Sequence, residues 1–448
     1  MTLLTISQAV NSLLRSEELV QRCIDNMDRQ PALAAKVFTK QLRNQALAQA
    51  KAYDRLREQG VPVPPYAGVP ISIKDLFDMT AEVTTCGSRI LADREPAGID
   101  AEVVRRLRNA GFIPVGRTNM TEFAYSGLGL NPHYGTPENP WERSNPRIPG
   151  GSSSGAAIAI TDQMAVASLG TDTGGSCRIP AALCGIVGFK PTASKVPQSG
   201  VSPLSSSLDS VGPLGASVEC VAILNDILAG DVVKPIIRTS LRGLRLAVPT
   251  TLTLDGMDAA VAATFERTLM LLAQAGAQID RIPLIELGEL PAINGKGGFV
   301  AAEAWAWHRE LIAAHRDSYD PNVVTRIEKG QHQSAADYID LIKARADLQR
   351  RVAAISIHYD ALVMPTVPIV APTLREMEDP ERFQHANLLM LRNPSIANFL
   401  DRCAISLPCH EQGSAPVGLM LMGERGADLR ILGIAHAVEQ LLQSALQQ

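Results

Sequence analysis

The sequence predicts an α/β fold in which much of the β-sheet is parallel. Residues 69–74 alternate apolar and other side chains, as a strand does, and residues 101–111 and 112–116 follow with the patterns of a helix and a second strand. A strand and a helix recur at 244–248 and 258–276. Strands that alternate with helices are typical of α/β proteins, and 448 residues that are 46% hydrophobic can bury a large core.

The remaining segments extend this pattern to both ends of the chain. An Ala-, Leu-, Gln- and Lys-rich stretch predicts a helix from about 41 to 57, and a strand at 417–422 precedes a last helix at 429–446. Residues 127–155 and 168–217 are crowded with Gly, Ser, Pro, Asn and Thr, which favours loops and tight turns. Residues 285–390 are predicted to be helical, with a weak pattern.

Composition excludes several classes of function. A net charge of -4 and 20% charged residues give no basic surface for nucleic acid. No apolar run reaches the length of a membrane span, and the N-terminus lacks the pattern of a secretion signal. The seven cysteines are scattered without a C-x-x-C pair, which argues against a zinc or redox site. We therefore expect a cytoplasmic protein with reduced thiols and no metal or organic cofactor.

The first segment that suggests chemistry is Gly-Val-Pro-Ile-Ser-Ile-Lys-Asp at residues 68–75. Its Lys74 ends a strand whose other residues are mostly apolar. A lone lysine at a strand end usually lies on the solvated surface. A buried lysine, in contrast, loses its proton easily and can act as a base.

Two further segments are rich in glycine and serine. Residues 150–159 read Gly-Gly-Ser-Ser-Ser-Gly-Ala-Ala-Ile-Ala, and the return to small apolar residues favours a tight turn that feeds a helix over a flexible linker. A phosphate-binding loop would require the Gly-x-x-x-x-Gly-Lys pattern, which is absent. Residues 169–180 place two glycines directly before Ser176. Such a turn exposes backbone N–H groups that can stabilise negative charge, although a Gly-Gly-Ser loop by itself is more often structural.

Taken together, these segments resemble the amidase signature family. The glycine- and serine-rich signature of that family is similar to residues 150–190, and the 24-residue spacing from Ser152 to Ser176 is that of its two catalytic serines. Lys74 matches its strand-end lysine. Residues 115–123 and 134–140 extend the resemblance, which is strong over about 65–220 and weak on both flanks.

The resemblance implies a role for each matching residue. Ser176 would be the nucleophile, and Ser152, on a cis peptide bond in the family, would relay protons between Ser176 and Lys74. The oxyanion hole would consist of the backbone N–H groups of Thr173, Gly174, Gly175 and Ser176. A supporting layer would hold the loop through Ser154, Thr171, Asp172 and Arg178.

The resemblance also implies the fold and the reaction. The family fold is a single α/β domain, here residues 1–448, with a large twisted mixed sheet covered by helices on both sides. Residues 65–220 would form its core, and residues from about 285 to 390 would shape the substrate mouth. The expected protein is an amidase that hydrolyses a small carboxamide or urea-like compound to acid plus ammonia or amine, without a cofactor. A homodimer is possible, and no nucleic-acid or membrane partner is expected.

Two rival functions stay open at the level of sequence. One is an amidotransferase subunit that passes ammonia to a charged tRNA, and the other is a non-catalytic binding protein on the same scaffold. Near-neutral charge counts against the first, and the intact serines and lysine count against the second. The chain also departs from the usual family pattern at Ser154, Cys177, Asp401 and Cys403, none of which removes a predicted catalytic group.

Overall fold

One mixed β-sheet organises the chain. The computed structural model describes residues 3–445, and within them the sheet has 11 strands in the order β1-β3-β2-β4-β6-β5-β10-β11-β9-β7-β8. The strands are β1 (Phe38–Gln41), β2 (Pro70–Lys74), β3 (Ile113–Thr118), β4 (Ala167–Asp172), β5 (Val187–Lys190), β6 (Ser210–Gly215), β7 (Arg245–Pro249), β8 (Gln278–Ile282), β9 (Ala361–Pro365), β10 (Ala404–Pro408) and β11 (Gly418–Met422).

Helices connect the strands and cover the sheet. They are α1 (Ile6–Val10), α2 (Ser16–Arg29), α3 (Pro31–Val37), α4 (Arg43–Glu58), α5 (Glu102–Ala110), α6 (Ser154–Thr161), α7 (Arg178–Cys184), α8 (Val218–Ala229), α9 (Ala259–Gln274), α10 (Leu290–Ile293), α11 (Gly298–His315), α12 (Pro321–Ile327), α13 (Ala335–Ser356), α14 (Pro380–Phe399) and α15 (Asp428–Ala445).

The α/β class and the mixed sheet are confirmed. Strand β2 pairs in parallel with β3 and β4, and β7 pairs in parallel with β8 and β9. The other neighbouring strands pair antiparallel. The sheet is therefore parallel in two patches that antiparallel strands join.

Both faces of the sheet are buried near β2. Ile71 and Ile73 belong to a core that includes Leu107 of α5 and Leu224 of α8. Because side chains alternate along a strand, Ser72 and Lys74 point to the opposite face. There, the Ser72 hydroxyl bonds the Ser168 hydroxyl at 2.5 Å, and Ser168 donates to a carbonyl of α6. The predicted alternation thus separates two packed faces, with Lys74 on the side of α6.

The predicted helices at 41–57, 101–111 and 258–276 correspond to α4, α5 and α9. Helix α5 ends at Ala110 and is followed by Gly111, whose φ of 102° is the left-handed conformation that glycine adopts readily. Helix α9 begins after Asp258, whose carboxylate accepts the Val261 N–H at 2.7 Å. Both helix ends therefore carry residue types that commonly cap helices.

The prediction of loops throughout 168–217 is wrong. This segment contains most of β4, all of α7, and strands β5 and β6. Its glycines allow close packing of regular elements: a Cβ on Gly188 would lie 2.2 Å from the Cys177 carbonyl oxygen, and one on Gly212 would lie 2.2 Å from the Phe189 carbonyl oxygen. Small residues here reflect close contact of strand β5 with the residue before α7 and with strand β6, more than turns.

The helical prediction for 285–390 is incomplete. Helices α10 to α13 and the first half of α14 occupy much of it, but the buried strand β9 lies between α13 and α14. A short apolar run has the same appearance in a buried strand as in a buried helix, and its periodicity does not separate the two.

Candidate active site

The sheet topology brings the predicted residues to one edge. Strands β2 and β4 are parallel neighbours, so their carboxyl ends lie side by side. Lys74 is the last residue of β2, and residues 173–176 follow directly after β4. Ligands of α/β sheets commonly bind at this edge. The fold therefore juxtaposes segments about 100 residues apart in sequence.

Lys74 is fully buried and hydrogen-bonded to hydroxyl groups. Its Nζ lies 2.8 Å from Ser152 Oγ and 2.9 Å from Thr171 Oγ1. Burial lowers the pKa of Lys74 to about 8, although nearby acidic groups, Asp172 and Asp209 among them, act in the opposite direction. The amine can therefore lose its proton near neutral pH and serve as a base.

Ser152 lies in a tightly packed turn before α6. The Gly151–Ser152 peptide bond is cis, the form that the resemblance implies. The Ser152 carbonyl accepts the Thr121 N–H at 3.1 Å, and a Cβ on Gly151 would lie 2.5 Å from the Gly129 nitrogen. At the start of α6, the Ser154 hydroxyl donates to the Asn119 carbonyl at 3.5 Å. The turn thus has room only for glycine at position 151.

Ser176 lies at the tip of the loop between β4 and α7. Gly175 has a φ of 121°, and a Cβ on it would lie 2.4 Å from Pro394 Cβ, so the loop needs glycine there. Ser176 is only 3% exposed, yet it lines a cavity. Within residues 3–445, no hydrogen bond joins Ser176 Oγ to Ser152 Oγ, so a relay between them requires the two side chains to move into hydrogen-bonding geometry.

The backbone N–H groups of this loop differ in availability. The Gly175 N–H donates to Asp172 Oδ1 at 2.9 Å and is not free for a substrate, which corrects its predicted place in the oxyanion hole. The N–H groups of Thr173, Gly174 and Ser176 have no acceptor in the described part of the chain. Three of the four predicted donors are thus open, and Gly175 supports the turn instead.

Asp172 organises the loop from beneath. Its carboxylate accepts bonds from the Gly175 and Cys177 N–H groups and a bidentate pair from the Arg178 guanidinium, at 2.8 to 3.1 Å. Asn398 of α14 donates to the Asp172 carboxylate and carbonyl, each at 2.9 Å, and accepts from Arg178 at 2.7 Å. Burial alone would raise the pKa of Asp172, but the charge and hydrogen bonds of Arg178 outweigh it and lower this pKa to about 2. Asp172 therefore stays ionised and holds the loop.

Replacing Asn398 by leucine should weaken both the fold and the reaction. The similar-sized side chain removes one buried hydrogen-bond partner from the Asp172 carboxylate and one from the Arg178 guanidinium. A buried polar group that loses its partner costs about 1–3 kcal/mol. We expect a lower urea midpoint and a lower kcat, because the loop loses an anchor. The control is Asn44→Leu on the exposed surface of α4, which should change stability by less than about 0.5 kcal/mol. An unchanged kcat in Asn398→Leu would contradict this role.

Cys177, next to the predicted nucleophile, is an inert thiol in this structure. It is fully buried, and its Sγ lies 3.5 Å from the Gly212 carbonyl, to which it donates. Burial, together with the charge of Asp172, raises the pKa of Cys177 far above its usual value. A thiolate is the reactive form of cysteine, so these surroundings disfavour a thiol nucleophile.

A cavity of about 860 Å³ opens beside the loop, within the roughly 300–1,000 Å³ typical of small-ligand pockets. Thr173, Gly174 and Ser176 form part of its wall. The rest comes from individual residues within 124–126, 204–208, 252, 290–301, 322–329 and 383–399 and is mostly apolar. A small organic molecule would reach the Ser176 hydroxyl and the open N–H groups from this cavity.

Sequence reasoning missed two polar supports of the loop. Asn398 lies more than 200 residues from Asp172, and Asp209 accepts the Thr173 hydroxyl at 2.5 Å and the N–H groups of Leu204 and Ser205. Burial raises the pKa of Asp209 to about 6. No local motif identifies either residue, since their importance depends on the tertiary fold.

Comparison with known proteins identifies the family of the chain. The family model Amidase matches residues 18–432, so the chain belongs to the amidase family. It is accordingly a hydrolase of amide carbon–nitrogen bonds, as the sequence predicts. Within residues 3–445, no helix combines the length and apolarity that crossing a membrane requires, and no group of three or more His, Cys, Asp or Glu side chains could hold a metal ion.

Individual relatives cover nearly the whole chain. A 2-amino-5-chloromuconic acid deaminase of Comamonas testosteroni is 37% identical over 89% of this chain and 86% of its own length. A glutamyl-tRNA(Gln) amidotransferase subunit from Symbiobacterium thermophilum is 35% identical over 92% of this chain and 90% of its own. The crystal structure of an amidase superposes with a TM-score of 0.87 at 29% identity and covers 98% of this chain and 99% of that one.

Proposed function

We propose that the protein is a stand-alone amidase that cleaves a small carboxamide or urea-like substrate through an acyl-enzyme on Ser176. The observation that carries this proposal is the buried Lys74, whose Nζ lies 2.8 Å from Ser152 Oγ beside the loop of Ser176. A buried amine with a lowered pKa and a hydroxyl partner is a suitable base for activating a serine. The constellation is a serine–lysine variant of a nucleophile–base arrangement.

The proposed reaction has two halves. Neutral Lys74 takes a proton from Ser152 as Ser152 takes one from Ser176, and Ser176 Oγ attacks the amide carbon. The N–H groups of Thr173, Gly174 and Ser176 stabilise the oxyanion. The carbon–nitrogen bond then breaks, the leaving amine receives the proton, and water releases the acid by the same steps in reverse order.

The regions around the site have proposed roles as well. Residues 285–390 contribute the cavity walls at 290–301 and 322–329, which supports a role in shaping the substrate mouth.

The Comamonas testosteroni relative is named a deaminase, which favours ammonia over a larger amine as the leaving group. The possible homodimer stays a prediction that sedimentation would check.

The rival roles make different predictions. An amidotransferase subunit, the name of the 35% identical relative, would need partner proteins and respond to tRNA. A binding protein on this scaffold would not react with a fluorophosphonate. The purified single chain should hydrolyse a simple amide at a rate that tRNA does not change, and a fluorophosphonate should label it. Absence of both reactions would contradict the proposal.

The pH dependence should follow Lys74. Its pKa is lowered to about 8, and only the neutral amine can accept a proton, so the lysine is mostly protonated and inactive below that pH. We expect kcat/KM for a neutral amide to rise about tenfold per pH unit below the pKa and to level off above it. The profile should be measured at constant ionic strength. A rate that falls as the pH rises through about 8 would show that the charged lysine is the active form.

A further inference from the structure

The wall of the cavity carries an uneven distribution of charge. Arg326, Lys329 and Arg392 line it, and none of the lining residues is an aspartate or glutamate. The chain as a whole has a net charge of -4, so this positive wall is a local feature. Most of the remaining wall is apolar. Cationic groups around an apolar space whose wall contains no acidic side chain attract an anionic ligand.

Of the three cations, Arg392 is the best placed to bind an anionic group near the Ser176 loop. It lies on the turn of α14 that packs against the Ser176 loop: Leu391 and Ser395 are the side chains nearest to a Cβ on Gly174, and Pro394 is nearest to one on Gly175. The guanidinium is half-buried. Its Nε donates to Asn393 Oδ1 at 3.1 Å and its Nη2 to the Thr253 carbonyl at 3.5 Å. Nη1 has no hydrogen-bond partner within residues 3–445.

The acidic groups near Arg392 and Arg326 do not neutralise them. Asp255, exposed in the loop after β7, is the acid that acts on Arg392 through space, but it forms no ion pair with it in the described part of the chain. Asp320 acts on Arg326 in the same way, while its own carboxylate caps α12 through the Asn322 N–H. The charge on both guanidiniums is therefore available to the cavity.

Arg326 is held in place by neutral groups. Its Nη1 donates to the Tyr125 carbonyl at 2.5 Å, and its guanidinium lies 4.7 Å from the centre of the Tyr125 ring. Lys329, one turn further on, is exposed at the same cavity. Arg326 and Lys329 thus add positive potential, and Arg392 retains an open donor group.

We propose that the substrate carries a carboxylate in addition to its scissile amide, and that Arg392 binds this carboxylate while Arg326 stabilises it through space. The inference rests on the proposed function of Ser176. A guanidinium matches the planar carboxylate group, and its charged hydrogen bonds are worth about ten- to a hundredfold in affinity. The apolar wall would accommodate the carbon chain that joins the two ends.

The test uses matched substrates. Succinamate, glutaramate and adipamate carry a free carboxylate, and their methyl esters are neutral partners of nearly equal length. The wild-type protein should favour at least one free acid over its ester by about tenfold or more in kcat/KM. Arg392→Gln should lose this preference mainly through a higher KM for the acid. Arg382→Gln, an exposed arginine on α14, is the control and should keep the preference.

A second measurement is independent of turnover. Succinate, glutarate or adipate should slow fluorophosphonate labelling of the wild-type protein and of Arg382→Gln, but not of Arg392→Gln, whereas the corresponding neutral diamides should protect weakly. Absence of labelling would count against the proposed acyl-enzyme. Normal labelling that the dicarboxylates slow no more than the diamides, or that they slow equally in Arg392→Gln, would overturn the carboxylate site alone.

Discussion

Replacing Lys74 by arginine should slow amide hydrolysis as much as replacing it by alanine. Arginine keeps the positive charge but cannot release its proton in the working pH range. If Lys74 acts as a neutral base toward Ser152, both variants lose the proton acceptor, and such a loss costs roughly 10²–10⁴-fold in rate. The measurement is kcat/KM on a simple amide for both variants.

The controls separate chemistry from folding. Lys74 is fully buried, so circular dichroism and urea unfolding must show that each variant is folded under the assay conditions. Lys51→Arg, on the exposed face of α4, should leave the rate unchanged. Substantial activity in folded Lys74→Arg would mean that the lysine supplies only a fixed charge and would rule out the relay.

Replacing Ser176 by alanine should have the largest effect. Loss of the nucleophile in a serine hydrolase lowers kcat roughly 10⁶-fold, because the residual environment can only assist direct attack by water. The variant should remain folded, since the Ser176 hydroxyl forms no hydrogen bond to Ser152 in the described part of the chain. Turnover must be measured with protein free of wild-type contamination, since a trace would exceed the expected rate.

A second serine in the same cavity provides a control for Ser176→Ala. Ser395 lines the cavity, and its hydroxyl donates only to the Arg392 carbonyl within its own helix, at 3.1 Å. Ser395→Ala should therefore change kcat by no more than a few-fold. A similar loss in both variants would indicate that the cavity, rather than the Ser176 hydroxyl, is sensitive to substitution.

The sequence predicts the parts of the site that local patterns encode. Lys74 ends a recognisable strand, and the glycine- and serine-rich turns that hold Ser152 and Ser176 are visible as motifs. The structure adds that Lys74 faces the side of α6, because the strand has two buried faces. Here a local pattern and the fold agree.

Local sequence patterns do not predict the contacts that hold the site together between distant parts of the chain. Asn398 binds Asp172 and Arg178 across more than 200 residues of sequence, and Arg392 reaches the cavity because Pro394 and its neighbours in α14 pack on the loop glycines. The Gly175 N–H, which the motif assigns to an oxyanion hole, is occupied by Asp172. Each of these facts depends on tertiary packing that periodicity and composition do not record.

Identifying the residue that a fluorophosphonate modifies tests most directly whether Ser176 is the nucleophile. The folded protein should be treated with a fluorophosphonate, digested, and analysed by tandem mass spectrometry. We expect one adduct, on Ser176, formed much more slowly in Lys74→Ala and in Ser152→Ala. An adduct on Ser152, or modification of Cys177 by a thiol-directed reagent with matching loss of activity, would contradict the proposed nucleophile and with it the serine–serine–lysine relay.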